Sequence, residues 1–299
     1  MTKTISAATK IKGPFIDLQF HSHFSDGSKS PTELAKIMHA KGVGVAALTD
    51  HNTVHGQYEF QAACKPFNIK VIPAVEIYAR YKKYNLHILG YNIDLNNAEL
   101  HDYLRESQVK RKKMIESLVP LLKRRSIKLD ISVLFSQPAT YIGMVNIIRQ
   151  IRSQQINKPI LRRLLKKNNY DYYEIYNAIF SRHQSTHLSE VYLPLAAVVR
   201  LIKRCGGVPV IAHPGQQLGF EHDQIVPELK RVGVEGIECF SSHHNWDQTA
   251  HYIMLAGRQN MIITGGSDYH GDLPGDYIVD NYLNYTSLPL TIYQQIKKF

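Results

Sequence analysis

Long apolar runs are missing from this 299-residue chain. Nothing approaches the ~18 consecutive apolar residues that a membrane span needs, and the opening stretch, Met1 to Phe15, mixes Lys, Thr, Ser and Ala around no apolar centre of the kind a secretory leader carries. The expectation is a soluble cytoplasmic protein with no membrane partner and no evident obligate protein partner. Cysteine is scarce: Cys64, Cys205 and Cys239 are widely separated and form no Cys-x-x-Cys pair. That excludes a zinc ribbon or dithiol redox site and leaves three reduced core residues. No internal repeat or low-complexity tract is recognisable. With 44% hydrophobic and 20% charged residues, the composition is that of a folded protein, not a disordered one.

Acidic residues are sparse in one region. Between His101 and Tyr170 the chain carries 16 Lys/Arg against 4 Asp/Glu, whereas the remainder carries 20 against 21. The whole excess of +11 therefore sits in a single segment. Such a run is either a solvated helical face or a surface that attracts a polyanion such as nucleic acid.

Outside that segment, short β-branched runs alternate with amphipathic stretches. Strands are predicted at 15–20, 43–49, 71–77, 86–93, 208–212, 234–240 and 261–265. Helices are predicted at 31–41, 54–65, from about 196 to the Gly206-Gly207 stop, 224–232 and 246–259. Ser30 suits an N-cap, Pro31 a first turn and Gly42 a stop. This βα alternation implies an α/β fold with a largely parallel sheet, open or closed into a barrel, and active sites of such folds gather at the carboxyl ends of the strands. Residues 97 to 190 break the alternation with helical patterns at 102–125 and 160–167, the first interrupted by Pro120, which should kink or split it. They read as a basic helical insertion or lid between barrel segments 1–96 and 191–299.

The residues following the strands carry the chemistry. His21, His23 and Asp26 follow the first strand, Asp50 and His51 the second, Glu76 lies in the third and His87 in the fourth; His213, the pair His243 and His244, and Asp268 with His270 follow later strands. One such histidine is usually a hydrogen-bonded core residue. Six or more at corresponding ends converge on one pocket, where unpaired charges cannot crowd cheaply. Divalent cations resolve the conflict, and a mixed imidazole and carboxylate set without cysteine suits zinc, manganese or iron in a catalytic site.

Six stretches, Ile16-Asp17-Leu18-Gln19-Phe20-His21-Ser22-His23-Phe24-Ser25-Asp26-Gly27, Thr49-Asp50-His51, Val75-Glu76-Ile77, His87-Ile88-Leu89-Gly90-Tyr91, Ala212-His213-Pro214-Gly215 and Gly266-Ser267-Asp268-Tyr269-His270-Gly271, together resemble the PHP (polymerase and histidinol phosphatase) family. Their order is most similar to its branch of nucleotide phosphoesterases and 5′-to-3′ exoribonucleases. The resemblance covers about 1–95 and 195–272. It implies a distorted TIM-like (β/α)7 barrel and two to three divalent metal ions. His21, Glu76 and Asp268 would hold the first, Glu76, His87 and His213 the second, and Asp26, His51 and His270 the third. It implies hydrolysis of a nucleotide or short single-stranded RNA or DNA by metal-activated hydroxide, with Glu76 and Asp268 catalytic.

Three positions depart from the family pattern. Gln19 stands where the family has the first histidine of His-x-His; its amide oxygen is a weaker ligand than imidazole. Asn52 stands where many relatives have Asp. Asn157-Lys158-Pro159-Ile160 lies at roughly the place of the family's Gly-Arg-Pro-His, so Lys158 would replace a phosphate-facing arginine, a point charge in place of a bidentate fork. His23 is then a substrate-facing or outer residue. His243 or His244 would bind phosphate or protonate the leaving group, His244 being favoured by position, although both also read as polar loop residues. Lys158, Arg162 and Arg163 would hold further phosphates. Alternatives on the same residues are a small-metabolite phosphatase, such as one acting on histidinol phosphate, and a non-catalytic nucleic-acid-binding module with a degenerate metal site, which Gln19 favours.

Overall fold

The computed structural model describes residues 15–180, 192–218, 223–271 and 288–289. The expected segment boundary at 190/191 lies outside these residues, as does most of the chain after Gly271.

β1 (Phe15–Asp17) and β2 (Val43–Ala46) pair in parallel across α1 (Pro31–Ala40). α1 starts where its sequence predicts: the Ser30 side chain accepts from the Glu33 amide, and the Glu33 carboxylate accepts from the Ser30 amide at 2.8 Å. This reciprocal cap satisfies two amides that a helix start otherwise strands. Gly42 follows at φ +73°, a backbone region open to glycine without steric cost. Next come α2 (Gln57–Cys64), β3 (Lys70–Val71), β4 (Ala74–Tyr81) and β5 (Tyr84–Tyr91). The single strand predicted over 71–77 is two strands, because Pro73 has no N–H to offer a ladder.

β4 and β5 form an antiparallel hairpin, and β5 also pairs antiparallel with β7 (Val208–Ile211). This corrects the expected parallel alternation. Only Lys82 and Lys83 separate β4 from β5, whereas a parallel crossover needs a dozen or more residues.

The insertion contributes α3 (Ala98–Arg124), α4 (Ile131–Phe135), α5 (Met144–Ser153), α6 (Lys158–Leu165) and α7 (Tyr172–Phe180). Pro120 neither ends nor splits α3, which continues for four residues beyond it. Leu118 and Leu122, on either side, are buried in an apolar cluster running from Met114 to Phe180, so packing holds the last turn.

The chain then returns through β6 (Leu193–Pro194), α8 (Leu195–Arg204), β7, α9 (Pro214–Gln217), α10 (Ile225–Val232), β8 (Gly236–Ser241), α11 (Trp246–Gln259), β9 (Ile262–Gly266) and β10 (Leu288–Pro289). The strands pair as β10-β1-β2-β3 and β6-β4-β5-β7-β8-β9. Isolated parallel bridges, Phe20 to Tyr269 and His51 to Glu76, join the two sheets. Ile16, Leu18 and Val45 of one sheet share an apolar cluster with Leu89, Tyr91 and Val210 of the other. A larger cluster packs β4, β5, β7 and β8 against α8, α10 and α11.

One buried side chain fixes the two strands that present the central histidine and carboxylate. Gln57 Nε2 donates to Leu48 O at 2.6 Å and to Ala74 O at 2.7 Å, tying the segment that leads to His51 to the start of β4. Gln57→Leu leaves both carbonyls without that donor and is expected to lower stability by roughly 1–3 kcal/mol in chemical denaturation. A loss under about 0.5 kcal/mol, the range of an ordinary surface substitution, would contradict this role.

Candidate metal centre

The Glu76 carboxylate is completely buried in the first half of β4, and five side chains surround it. Oε2 lies 3.3 Å from Gln19 Nε2, 3.2 Å from His21 Nε2 and 3.4 Å from His51 Nδ1. Oε1 lies 2.8 Å from His87 Nδ1 and 3.3 Å from His213 Nε2. These five residues come from four parts of the fold. Gln19 and His21 follow β1, His51 follows β2, His87 points inward from β5 and His213 follows β7. His87 reaches the centre from within its strand because β5 runs against its neighbours.

Two further carboxylates extend the cluster. Asp268 Oδ1 is 2.9 Å from His21 Nε2, and its Oδ2 is 2.7 Å from His243 Nε2. Asp26 faces His270 Nε2 at 3.4 Å, His51 Nε2 at 3.7 Å and His21 Nδ1 at 4.0 Å. Three sets of ligand atoms result, each with all members within 4.8 Å of one another: His21, Glu76 and Asp268; His51, Glu76 and His87; and His21, Asp26, His51 and His270. The structure thus gathers His21, Asp26, His51, Glu76, His87, His213, Asp268 and His270. Several of their buried atoms, including His21 Nδ1, Asp26 Oδ1, Glu76 Oε1 and His87 Nδ1, make no hydrogen bond of good geometry. Orphaned nitrogen and oxygen donors facing one point fit divalent cations.

The surrounding loops are held by the backbone. Asp268 N donates to Gln19 O, and Ser267 N to Asp17 Oδ1 at 2.9 Å, which ties the end of β9 to the end of β1. Glu238 Oε2 accepts from His213 N at 2.8 Å and steadies a residue at φ +23°. Asp50 accepts from Ser22 N, Ser22 Oγ and Ser25 Oγ, at 2.6 to 2.7 Å, and clamps the loop between His21 and Asp26. Asp50 and Glu238 are supports that the pattern of strand ends does not distinguish from ligands. Arg149 donates to Asp26 O at 3.4 Å from the insertion.

The other expected residues differ in their relation to the cluster. His244 is closed to proton transfer: Nδ1 donates to Cys239 O at 2.9 Å while Nε2 accepts from Gly215 N at 2.9 Å, and burial pushes its pKa down to about 4. Its neighbour His243 is the one that meets Asp268. His23 stays outside the cluster, half-buried and edge-on to Phe24 with ring centres 4.7 Å apart. Lys158, Arg162 and Arg163 make no hydrogen bond or ion pair with a cluster residue among the described residues. Asn157, preceding Lys158, staples the insertion by donating to Lys128 O and Ile151 O, both at 2.8 Å. Gly143 of the same segment also sits against the cluster, where a methyl group would collide with the Asp26 carboxylate.

Burial raises the carboxyl pKa values here, but the adjacent imidazoles outweigh it and hold Asp26, Glu76 and Asp268 well below the usual range. Burial disfavours a charged His21, yet Asp268 and Glu76 overcome it and raise that histidine well above its ordinary value. His270 is raised too, with Asp26 and Asp268 outweighing burial and His21. Burial keeps His51, at about 3, and His213 neutral. Protons on His21 and His270 thus occupy the charge positions of cations. Their raised folded-state pKa values stabilise the metal-free protein below about pH 6.5. That contribution disappears as pH climbs through the folded values. The depressed carboxylates act in the opposite sense, stabilising above about pH 4 and losing their contribution as pH falls. Metal binding at pH 7 is therefore expected to release at least one proton, read from binding heats in two buffers of different ionisation enthalpy. Heats independent of the buffer would contradict it.

A PHP domain family model matches residues 17–190. A 5'-3' exoribonuclease of Haemophilus influenzae is 26% identical over 260 residues, covering 85% of this chain and 89% of its own. A 3',5'-nucleoside bisphosphate phosphatase of Chromobacterium violaceum is 26% identical over 265 residues, covering 87% and 88%. A phosphoribosyl 1,2-cyclic phosphate 1,2-diphosphodiesterase of Eggerthella lenta is 27% identical over 260 residues, covering 85% and 94%. Among solved structures, a C. violaceum amidohydrolase with bound sulfate and no metal superposes with a TM-score of 0.74 at 25% identity, covering 87% and 89%. A candidate metal-dependent phosphoesterase from Bifidobacterium adolescentis has a TM-score of 0.67 at 20% identity, covering 93% and 96%, and shares the fold. With more than half its length matched by the family model and the ligand cluster assembled from that family's motifs, the chain belongs to the PHP domain family.

Proposed function

We propose that the chain is a metal-dependent phosphoesterase hydrolysing phosphate esters of nucleotides or short oligonucleotides. The observation that carries this reading is the buried Glu76 carboxylate, shared by overlapping nitrogen and oxygen sets with unpartnered donor atoms. Two to three ions of manganese, zinc or iron would be held: one by His21, Glu76 and Asp268, one by Glu76, His87 and His213, one by Asp26, His51 and His270. When bound, such ions supply Lewis acidity toward phosphoryl oxygens and acidify coordinated water. Gln19 steers Glu76 through its amide nitrogen and leaves Oε1 as a weak oxygen donor. His243, its ring oriented by Asp268, donates the proton to the leaving oxygen. The basic segment 97–190 acts as a lid that attracts single-stranded RNA or DNA. The bridges between the two sheets and their shared apolar interior support a distorted TIM-like barrel as the reading of the fold.

The purified protein, loaded with each divalent metal in turn, should hydrolyse a nucleoside 3',5'-bisphosphate or a 5'-phosphorylated RNA faster than histidinol phosphate. His51→Ala and Asp268→Ala should lose at least about a hundredfold in kcat, and His243→Gln about 10²–10⁴-fold with little change in KM. Preference for histidinol phosphate would favour the small-metabolite reading. Nucleic-acid binding without turnover under every metal would favour the degenerate module.

A further inference from the structure

The outward face of α11 is apolar and open to solvent. Thr249, Tyr252, Leu255 and Ala256 turn inward and are buried. On the opposite side Trp246 is 80% exposed and Met254 56% exposed. Ala250 and Gly257 on the same side are exposed as well. At 3.6 residues per turn, Trp246, Ala250, Met254 and Gly257 fall within an arc of about 80°. Half-buried Ile253 borders the row. A lone exposed apolar side chain needs no explanation, whereas a contiguous row of them marks a surface that associates.

Charge decides what covers this face. Asp247 stands in the first turn of α11 and Arg258 in the last, both exposed and both at the same edge of the apolar row. Among the described residues neither side chain takes part in an ion pair. They are eleven positions apart, about 16 Å along the axis, too far to pair within one helix. A second α11 laid antiparallel, centred midway between Ala250 and Met254, brings each opposite its complement. Asp247 then meets Arg258 of the second copy, and a two-fold axis forms the reciprocal pair at the other end. The same register sets Ala250 against Met254 of the second copy, and Trp246 beside its Gly257 and Arg258. A Cβ on Gly257 would meet nothing within 4 Å, which leaves room for an indole. Arginine beside an indole face adds cation–π attraction. A parallel pair would instead set Asp247 against Asp247 and Arg258 against Arg258.

We propose that the exposed face of α11 joins two copies of this chain in an antiparallel, two-fold pair, Trp246 of each seated against Gly257 and Arg258 of the other. The pairing stands whether or not the phosphoesterase reading holds. Two fourteen-residue helices make a small interface, so association is weak, with a Kd on the order of micromolar. Trp246 is the chain's only tryptophan, and its emission therefore reports on this face alone. Sedimentation of the full, metal-loaded chain over a concentration series should show monomers passing into dimers. Over the same range the emission should move to shorter wavelength as the indole leaves water.

Met254→Glu, at an exposed position, should melt as the wild type does while dimerising at least tenfold more weakly. Asp247→Arg and Arg258→Asp should each dimerise several-fold more weakly when alone. Mixed one to one, these two variants should form a heterodimer close to wild-type strength, because opposite charges then meet at both ends. A mixture no tighter than either variant alone overturns the antiparallel pairing. A wild-type chain that stays monomeric at concentrations on the order of 1 mM overturns the proposal outright. So do dimers indifferent to Met254→Glu and to both charge reversals, which would use another face. Short-wavelength emission from a monomer also overturns it, since the chain's own residues would then cover Trp246.

Discussion

A carboxylate with no exposure to water, ringed by imidazoles from four separate segments, is the constraint on which this structure turns. Glu76 cannot be solvated where it lies, and the imidazoles around it hold its carboxyl pKa well below the usual range, while Asp268 and Glu76 raise that of His21. Burial and neighbouring charge work against each other throughout the cluster. The carboxylates stay ionised, and His51 and His213 stay neutral and able to ligate. Such an arrangement is poorly balanced without cations and well balanced with them.

The scaffold explains how these groups are brought so close. The ends of β1 and β9 are tied through Asp17, Ser267 and the Gln19 carbonyl, while the His51 to Glu76 bridge joins the sheets directly at the centre. Burial pushes the Asp17 carboxyl up to about 7, despite the hydrogen bonds from Ser267 and Gln19. The insertion adds a wall, with Gly143 against Asp26, Thr140 bonded to Thr53, and Gln108 donating to Asn52 O. A separate apolar cluster between Met114 and Phe180 backs this wall.

Much of this was legible in the sequence, for identifiable reasons. The α1 cap is local, and Ser30, Pro31, Glu33 and Gly42 specify it within thirteen residues. The cluster was legible because histidines and acids recur after several predicted strands, whose ends an α/β fold brings together. The β4–β5 hairpin was less visible: buried strands of either direction show the same apolar run, and only the short spacing betrays the turn. His244 and His243 are adjacent in sequence and alike in type, and their roles separate only when backbone partners are seen. Arg111 was one of sixteen basic residues in a charged stretch, and only its place on the buried stripe with Leu104, Ser107, Met114 and Leu118 sets it apart from the exposed ones.

The most direct test of the account is anomalous diffraction from crystals soaked in manganese. Peaks within coordination distance of both Glu76 oxygens, with a further peak between Asp26, His51 and His270, are the predicted result. A well-ordered crystal that takes up manganese elsewhere and shows no peak near Glu76 would contradict it.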